Sequence, residues 1–409
     1  MSDDLFDIVI TSNSPGELYS LVRPAVRSLH RNIPNARIIL VITPCQYASG
    51  REIEVARSFP EIYEIVFPQE FKNWVFRNKP PKGISFSKKG VVLFMGGDLM
   101  NGVILSRKLG YPAYAYAMDH IAWVKKYTKF FVPDKNIEQK ALKKKVPAKK
   151  IKVVGDLMID AVLCETVPKE PGKTVITLMP GSRPAHLQFL APFFLKTADL
   201  IKEKNKEIKF VFGLSPYANA LKLEEYISRG KMKKTELKEG AAGRLIVRED
   251  KKYILSEKGT EILIIEKDPY AAMAVADLII TIPGTNTAEA AAMGKPMLVT
   301  VPFNKPEAYI FDGLIGMIGN APVIGRYIKR ATISILNKAM KYIALPNRKA
   351  GEMIVPELRG NLKAEEIAAK AIELLSDPEK LVLTGKRLKK AMGAPGAADK
   401  ISEEIAGLT

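Results

Sequence analysis

Residues 174–190, "TVITLMPGSRPAHLQFL", carry the transition on which the fold turns. The apolar run "TVITL" is flanked by turn residues and reads as a buried strand. After Arg183, the residues Leu187, Leu190 and Phe194 recur at helical spacing. Gly181, Ser182 and Arg183 therefore occupy a strand-to-helix turn. The first N–H groups of a helix have no intrahelical partner, and a glycine lets a ligand approach the backbone, so such a turn welcomes an anion. An ordinary turn, with Ser182 capping the helix and Arg183 in solvent, fits the same residues.

The same grammar extends in both directions. Upstream, "DIVIT", "RIILVIT", "GVVLFMGGD", "PAYAYA", "FFVP" and "IKVVG" alternate with helical patterns, and downstream "IKFVFGL", "EILIIE", "DLIITIPGT" and "PMLVTVP" do so again. This is the signature of βαβ units on parallel sheets. An α/β chain of 409 residues is long for one core, so two doubly wound, Rossmann-like domains are expected. The first spans 1–165 and the second 173–384, with Glu165–Lys173 as linker and a terminal helix in 385–409 returning to the first domain. Such sheets bind ligands at the carboxyl ends of their strands, so two facing domains would line a cleft with strand-end loops. Extra material lies near 215–266, which reads as short strands around polar turns, and near 307–341. The second addition is apolar but too interrupted to span a bilayer; a bilayer-surface element and an amphipathic core pair both fit it.

Composition narrows the chemistry. Three histidines, His30, His120 and His186, show no metal-ligand spacing, so a metal-dependent hydrolase is not expected and no metal site is predicted. Cys45 and Cys164 lie far apart in apolar surroundings, which points to a reducing compartment. The acidic start "MSDDLFDIVIT" enters a strand directly, so neither a signal peptide nor a transit peptide is expected. The net charge of +19 is concentrated in "WVKKYTKFFVPDKNIEQKALKKKVPAKKIKVVG". An anionic membrane surface, a phosphorylated substrate and nucleic acid are candidate partners, but the usual nucleic-acid motifs are missing and that partner is not expected. A generally lysine-rich proteome would give the same excess.

Four strand-end loops carry candidate chemistry. In "TSNSPGEL", Ser14, Pro15, Gly16 and Glu17 form a turn after the opening strand, without the G-x-G-x-x-G dinucleotide fingerprint. In "FMGGDLMNG", Asp98 follows two glycines, with Asn101 a turn further on; Asp98 is either a general base or the cap of the next helix. The third loop is Gly181–Ser182–Arg183. In the fourth, "TIPGTNTAEAAAMGKPMLV", the small polar residues after Gly284, namely Thr285, Asn286 and Thr287, offer donors to phosphate, and Glu289 can accept from ribose hydroxyls. Thr287 as N-cap and Glu289 as a first-turn acid account for the same residues, and both readings can hold together.

In that order, "GGDLMNG", "VITLMPGSR", "ITIPGTNTAEAAAMGKPMLV" and "YIALPNRKAGEMIVPEL", the chain resembles lipid-A-disaccharide synthase and its relatives, with "AMDHIAWVKKYTKFFVP" and "IKVVGDLMIDAV" also in register. The resemblance implies a GT-B fold and an inverting transfer from a UDP-sugar, a co-substrate rather than a cofactor, to a lipid or lipid-linked acceptor. It implies a peripheral enzyme at the inner, cytoplasmic face of the membrane. It assigns Asp98 as base, Arg183 to the donor diphosphate and Glu289 to the donor loop. The chain departs from the family pattern at "SNSPGEL", at His186 and at "YAYAMDHIAW". A UDP-sugar 2-epimerase of the same fold and a non-catalytic nucleotide-sugar-binding module are the alternatives.

Overall fold

The computed structural model describes residues 5–45, 50–118, 120–162, 172–181, 183–230, 232, 239–266, 268–305 and 340–409. The chain divides into two units, Met1–Cys164 with Gly393–Thr409, and Glu165–Met392. The segment grouped with the first unit thus begins at Gly393 rather than at 385, because the helix Pro378–Met392 packs within the second unit. Ser182, Cys164 and most of the 307–341 addition lie outside the described residues, as does Asp119.

Unit 1 is built on β1 (Phe6–Ser12), β2 (Ala36–Ile42), β3 (Glu64–Val66), β4 (Lys89–Phe94), β5 (Ala113–Tyr116), β6 (Lys129–Val132) and β7 (Ile151–Val153). They form one parallel sheet in the order β3-β2-β1-β4-β5-β6-β7. Both faces are covered, which is why β1 reads as seven consecutive buried residues rather than an alternating pattern. The chain order reverses between β1 and β4, so the loops after these two strands flank the topological switch point, where doubly wound sheets take their ligands. The terminal helix Ala397–Ala406 packs on the helix Arg23–Asn32, with Ile401 and Ile405 fully buried. Asp160 caps its start, accepting from Gly396 N at 2.6 Å and Ala398 N at 2.6 Å. Glu404 pairs with Lys129 and with Lys152, the latter at 2.8 Å.

Unit 2 contains β8 (Val175–Met179), β9 (Lys209–Gly213), β10 (Gly243–Arg248), β11 (Lys251–Ser256), β12 (Glu261–Ile265), β13 (Leu278–Thr281), β14 (Met297–Pro302) and β15 (Glu357–Gly360). Their order is β10-β11-β12-β9-β8-β13-β14-β15. Six strands, β12 to β15 in that order, are parallel and the switch point lies between β8 and β13; β10 and β11 form an antiparallel hairpin added at the β12 edge. The hairpin is what the alternating apolar and charged residues near 215–266 predicted. The sequence reading did not count β15, whose four residues are only half-buried at the sheet edge. The core gathers Ile176, Leu178, Phe194, Phe212, Leu278 and Ile280 under the helix Pro184–Lys204.

Candidate active site

In unit 1 the loop after β1 closes as a capping box. Ser14 N donates to Glu17 Oε2 at 3.3 Å and Glu17 N to Ser14 Oγ at 3.4 Å, with Pro15 and Gly16 between them at the start of a short helical turn. The Glu17 carboxylate also lies against the loop after β4. A Cβ on Gly96 would stand 2.0 Å from Glu17 Oε2, and one on Gly97 would stand 2.9 Å from Asn13 Nδ2, so both glycines are required by close approach. Burial pushes the Glu17 carboxyl above its ordinary value, against the lowering pull of the N–H groups of Ser14, Asn13 and Gly97.

Asp98 is exposed and caps the helix Leu99–Leu109, its Oδ1 accepting from Met100 N at 2.8 Å. The cap reading therefore holds geometrically, and the cap uses one oxygen, which leaves a base role compatible with it. Asn101 sits in the first turn of that helix, its N–H donating to Asp98 O at 2.9 Å. Tyr127, from the basic stretch, fixes the same turn by donating to Leu99 O at 2.6 Å through space that Gly102 leaves open. Several lysines of that stretch are likewise engaged with backbone: Lys150 donates to Tyr127 O at 2.6 Å and to Val124 O at 3.2 Å, and Lys144 to Ile121 O at 3.4 Å. Buried near the strand ends, the hydroxyls of Thr11, Ser12 and Thr43 have no hydrogen-bond partner among the described residues. Asn13 and Thr43 were not singled out in the sequence, because their approach to Gly97 joins segments distant in the chain.

In unit 2 the turns after β8 and β13 lie side by side, since Met179 pairs with Thr281 and Thr281 Oγ1 donates to Met179 O at 3.2 Å. Gly181 adopts φ +108°, and a Cβ there would meet His186 Nδ1 at 2.4 Å and Ile282 Cδ1 at 2.9 Å; only glycine suits the turn. Arg183 occupies the N-cap position of the helix Pro184–Lys204, without a side-chain cap bond. The second turn leads into the helix Thr285–Ala292, whose N-cap is Gly284 and not Thr287. Thr287 instead lies inside the first turn, fully buried, with its hydroxyl donating to Gly284 O at 2.8 Å. Gly284 and Thr285 are exposed, whereas the Asn286 side chain folds back to donate to Thr281 Oγ1.

Glu289 lies beyond the first turn of this helix and is buried, so it is not the first-turn acid expected. It is 7% exposed, accepts from the Tyr270 hydroxyl at 3.2 Å, and burial pushes its carboxyl up to about 7. Tyr270 belongs to the helix Pro269–Ala274, whose start is capped by Asp268. The predicted donor set thus converges on one switch point in unit 2, except Ser182. The predicted base Asp98 and the predicted acceptor-side set, Ser14, Pro15, Gly16, Glu17 and Asn101, lie in the loops at the switch point of unit 1.

Among characterised proteins, those similar in sequence are lipid-A-disaccharide synthases. The protein from Geobacter sulfurreducens is 27% identical over 237 residues, which is 57% of this chain and 48% of that protein. That from Anaeromyxobacter sp. strain K is 25% identical over 240 residues, covering 58% and 50%. The chain thus spans about half the length of these relatives. The protein from Pasteurella multocida is 23% identical over 380 residues, covering 87% of this chain and 83% of its own. This chain is thus similar in sequence to the lipid-A-disaccharide synthases. No protein-family profile matches it.

Solved structures agree on the fold. The S. aureus MnaA–UDP co-structure superposes with TM-score 0.56 at 14% identity, over 98% of this chain and 95% of that one. The UDP-GlcNAc 2-epimerase from Neisseria meningitidis bound to UDP-GlcNAc gives 0.55 at 13%, over 97% and 98%. The fold is GT-B, the architecture expected from the resemblance to the synthases. Of the segments carrying that resemblance, "GGD" and "PGTNTAE" are the switch-point turns themselves, whereas "LPN" and "VPEL" lie beside the second.

Proposed function

We propose that the protein is a glycosyltransferase that moves a sugar from a UDP-sugar to a lipid or lipid-linked acceptor with inversion at the anomeric carbon. The observation that carries this reading is the convergence of Gly181, Arg183, Gly284, Thr285 and the buried Glu289 on one switch point, in a chain similar in sequence to lipid-A-disaccharide synthases. Helix N-termini supply N–H donors and a favourable dipole to a diphosphate, and Arg183 adds a positive charge. These groups stabilise the negative charge that grows on UDP as the bond from the anomeric carbon to the phosphate oxygen breaks. Glu289, held by Tyr270, accepts from the ribose hydroxyls.

Asp98 takes the proton of the acceptor hydroxyl as its oxygen bonds to the anomeric carbon. The reaction requires no metal in this scheme, so a chelator leaves the rate unchanged. Among the described residues no helix is long and apolar enough to cross a membrane. Peripheral attachment at the inner, cytoplasmic face of the membrane is supported by exposed lysines such as Lys125, Lys126, Lys143 and Lys145.

The test is UDP release from a panel of UDP-sugars, with and without a lipid extract dispersed in detergent. Release that depends on lipid and on one donor is the expected result, and Asp98→Asn should retain donor binding while losing transfer. Epimerised sugar formed without lipid would replace this reading by an epimerase. Tight UDP binding with no turnover would replace it by a binding module.

A further inference from the structure

The segments "LPN" and "VPEL" lie outside both switch-point turns, yet they build a buried, densely hydrogen-bonded polar cluster in unit 2. Asn347 is fully buried and uses its whole amide. Its Nδ2 donates to Val355 O at 2.8 Å and to Glu357 Oε1 at 2.8 Å, and its Oδ1 accepts from Ile354 N at 2.8 Å and Val355 N at 3.0 Å. The Glu357 carboxylate, also without solvent exposure, accepts from Ile343 N at 3.0 Å, Ala344 N at 2.9 Å and Arg359 Nε at 2.9 Å. Arg359 in turn donates to Met340 O at 3.0 Å and Lys341 O at 2.9 Å. Burial alone would raise the Glu357 carboxyl; these donors outweigh it and hold it below its ordinary value.

A hydrogen bond from a backbone N–H links the cluster to the site. Leu345, the next residue in the segment that Glu357 holds, donates its N–H to Thr287 Oγ1 at 3.4 Å, and Thr287 donates to Gly284 O. The helix Leu345–Ala350 packs against the helix Thr285–Ala292. We propose that Asn347 and Glu357 are positioning residues: they form a buried clasp that, through the Leu345 N–H and Thr287, fixes the Gly284 turn and sets its affinity for a nucleoside diphosphate. This rests on the donor site proposed above. Neither residue touches a ligand, since both side chains are sealed from solvent.

Two variants cut the link at different points. Glu357→Gln keeps shape but removes the charge that gathers the segment. Leu345→Pro deletes the single N–H; proline is tolerated at a first helical position, and Ala344, at φ −62° and ψ 131°, already has the conformation required before proline. Two readouts are taken: hydrogen exchange at the amides of residues 284–289 in the ligand-free protein, and UDP affinity by calorimetry. Each variant is expected to speed exchange there and to weaken UDP binding about fivefold, the size of one ordinary hydrogen bond. The double variant should lose no more than the stronger single one, because both break one chain of contacts.

Unchanged exchange and wild-type UDP affinity in Leu345→Pro would overturn the proposal, whether or not Glu357→Gln folds. Additive losses in the double variant would overturn it too. If exchange responds but the wild-type protein does not bind UDP, the coupling stands and the donor reading fails.

Discussion

Replacing Glu289 by glutamine separates the proposed donor contact of this carboxyl from the stability it costs. In the folded chain this carboxyl is pushed up to about 7, whereas in an unfolded chain a glutamic acid titrates near about 4.3. Between those values the native state holds a proton that the unfolded state has released, so stability falls as pH rises through this window. Above about pH 7 the accumulated cost is roughly 4 kcal/mol, at about 1.4 kcal/mol per pH unit. Glu289→Gln keeps the acceptor for the Tyr270 hydroxyl and abolishes the titration. It should therefore gain roughly 2–3 kcal/mol relative to wild type between pH 5 and pH 8. For a unit of this size that is roughly 4–12 °C in the thermal midpoint. The assay is the unfolding transition of unit 2, followed at both pH values for both proteins. A difference between variant and wild type that is the same at pH 5 and pH 8 would refute the buried, proton-holding carboxyl. UDP-sugar binding should weaken in the same variant, and that loss would mark the cost as one retained for function.

Other perturbations are as specific. Gly96→Ala places a methyl 2.0 Å from Glu17 Oε2, so the loop after β4 must move; a loss of about 1–3 kcal/mol by urea denaturation is expected, together with loss of transfer. Asp160→Ala removes the acceptor for Gly396 N and Ala398 N and should cost about 1–2 kcal/mol, read as faster hydrogen exchange over the helix Ala397–Ala406. Asn347→Ala leaves Ile354 N and Val355 N buried without their acceptor, and a loss of about 2–4 kcal/mol in chemical denaturation is expected.

The parts of this molecule that were legible in its sequence are those written in contiguous residues. "TVITL" followed by Gly181 and a helical pattern announces a strand, a turn and a helix, because periodicity and turn chemistry are local. Strand order is not local, and the reversals between β1 and β4 and between β8 and β13 could not be read from any one segment. Glu17 illustrates the limit. Its capping box with Ser14 lies within four consecutive residues, whereas its seat on Gly96 joins the first strand-end loop to another far along the chain. Thr287 was misplaced as a cap because the helix is capped at Gly284, three residues earlier than the hydroxyl suggested, and begins at Thr285. Glu289 carried a familiar acidic signal near a helix start, yet its burial under Tyr270 depends on a neighbouring βα unit. "LPN" and "VPEL" were legible as marks of resemblance, but not as a hydrogen-bonded cluster, since the bonds of Asn347 and Glu357 appear only once the backbone folds back.

The return of residues 393–409 to unit 1 bears on how the chain is made. Unit 2 is encoded inside unit 1, so synthesis of the first sheet is separated from its last helix by all of Glu165–Met392. At about 5–20 residues per second, the hydrophobic flank of the helix Arg23–Asn32 waits, once the rest of its sheet has been made, roughly ten to fifty seconds for Ile401 and Ile405. During that interval unit 2 has all its own strands and can fold to completion. Nascent unit 1 is the half that exposes an unfinished apolar face, and it is there that a chaperone would find its grip on this protein.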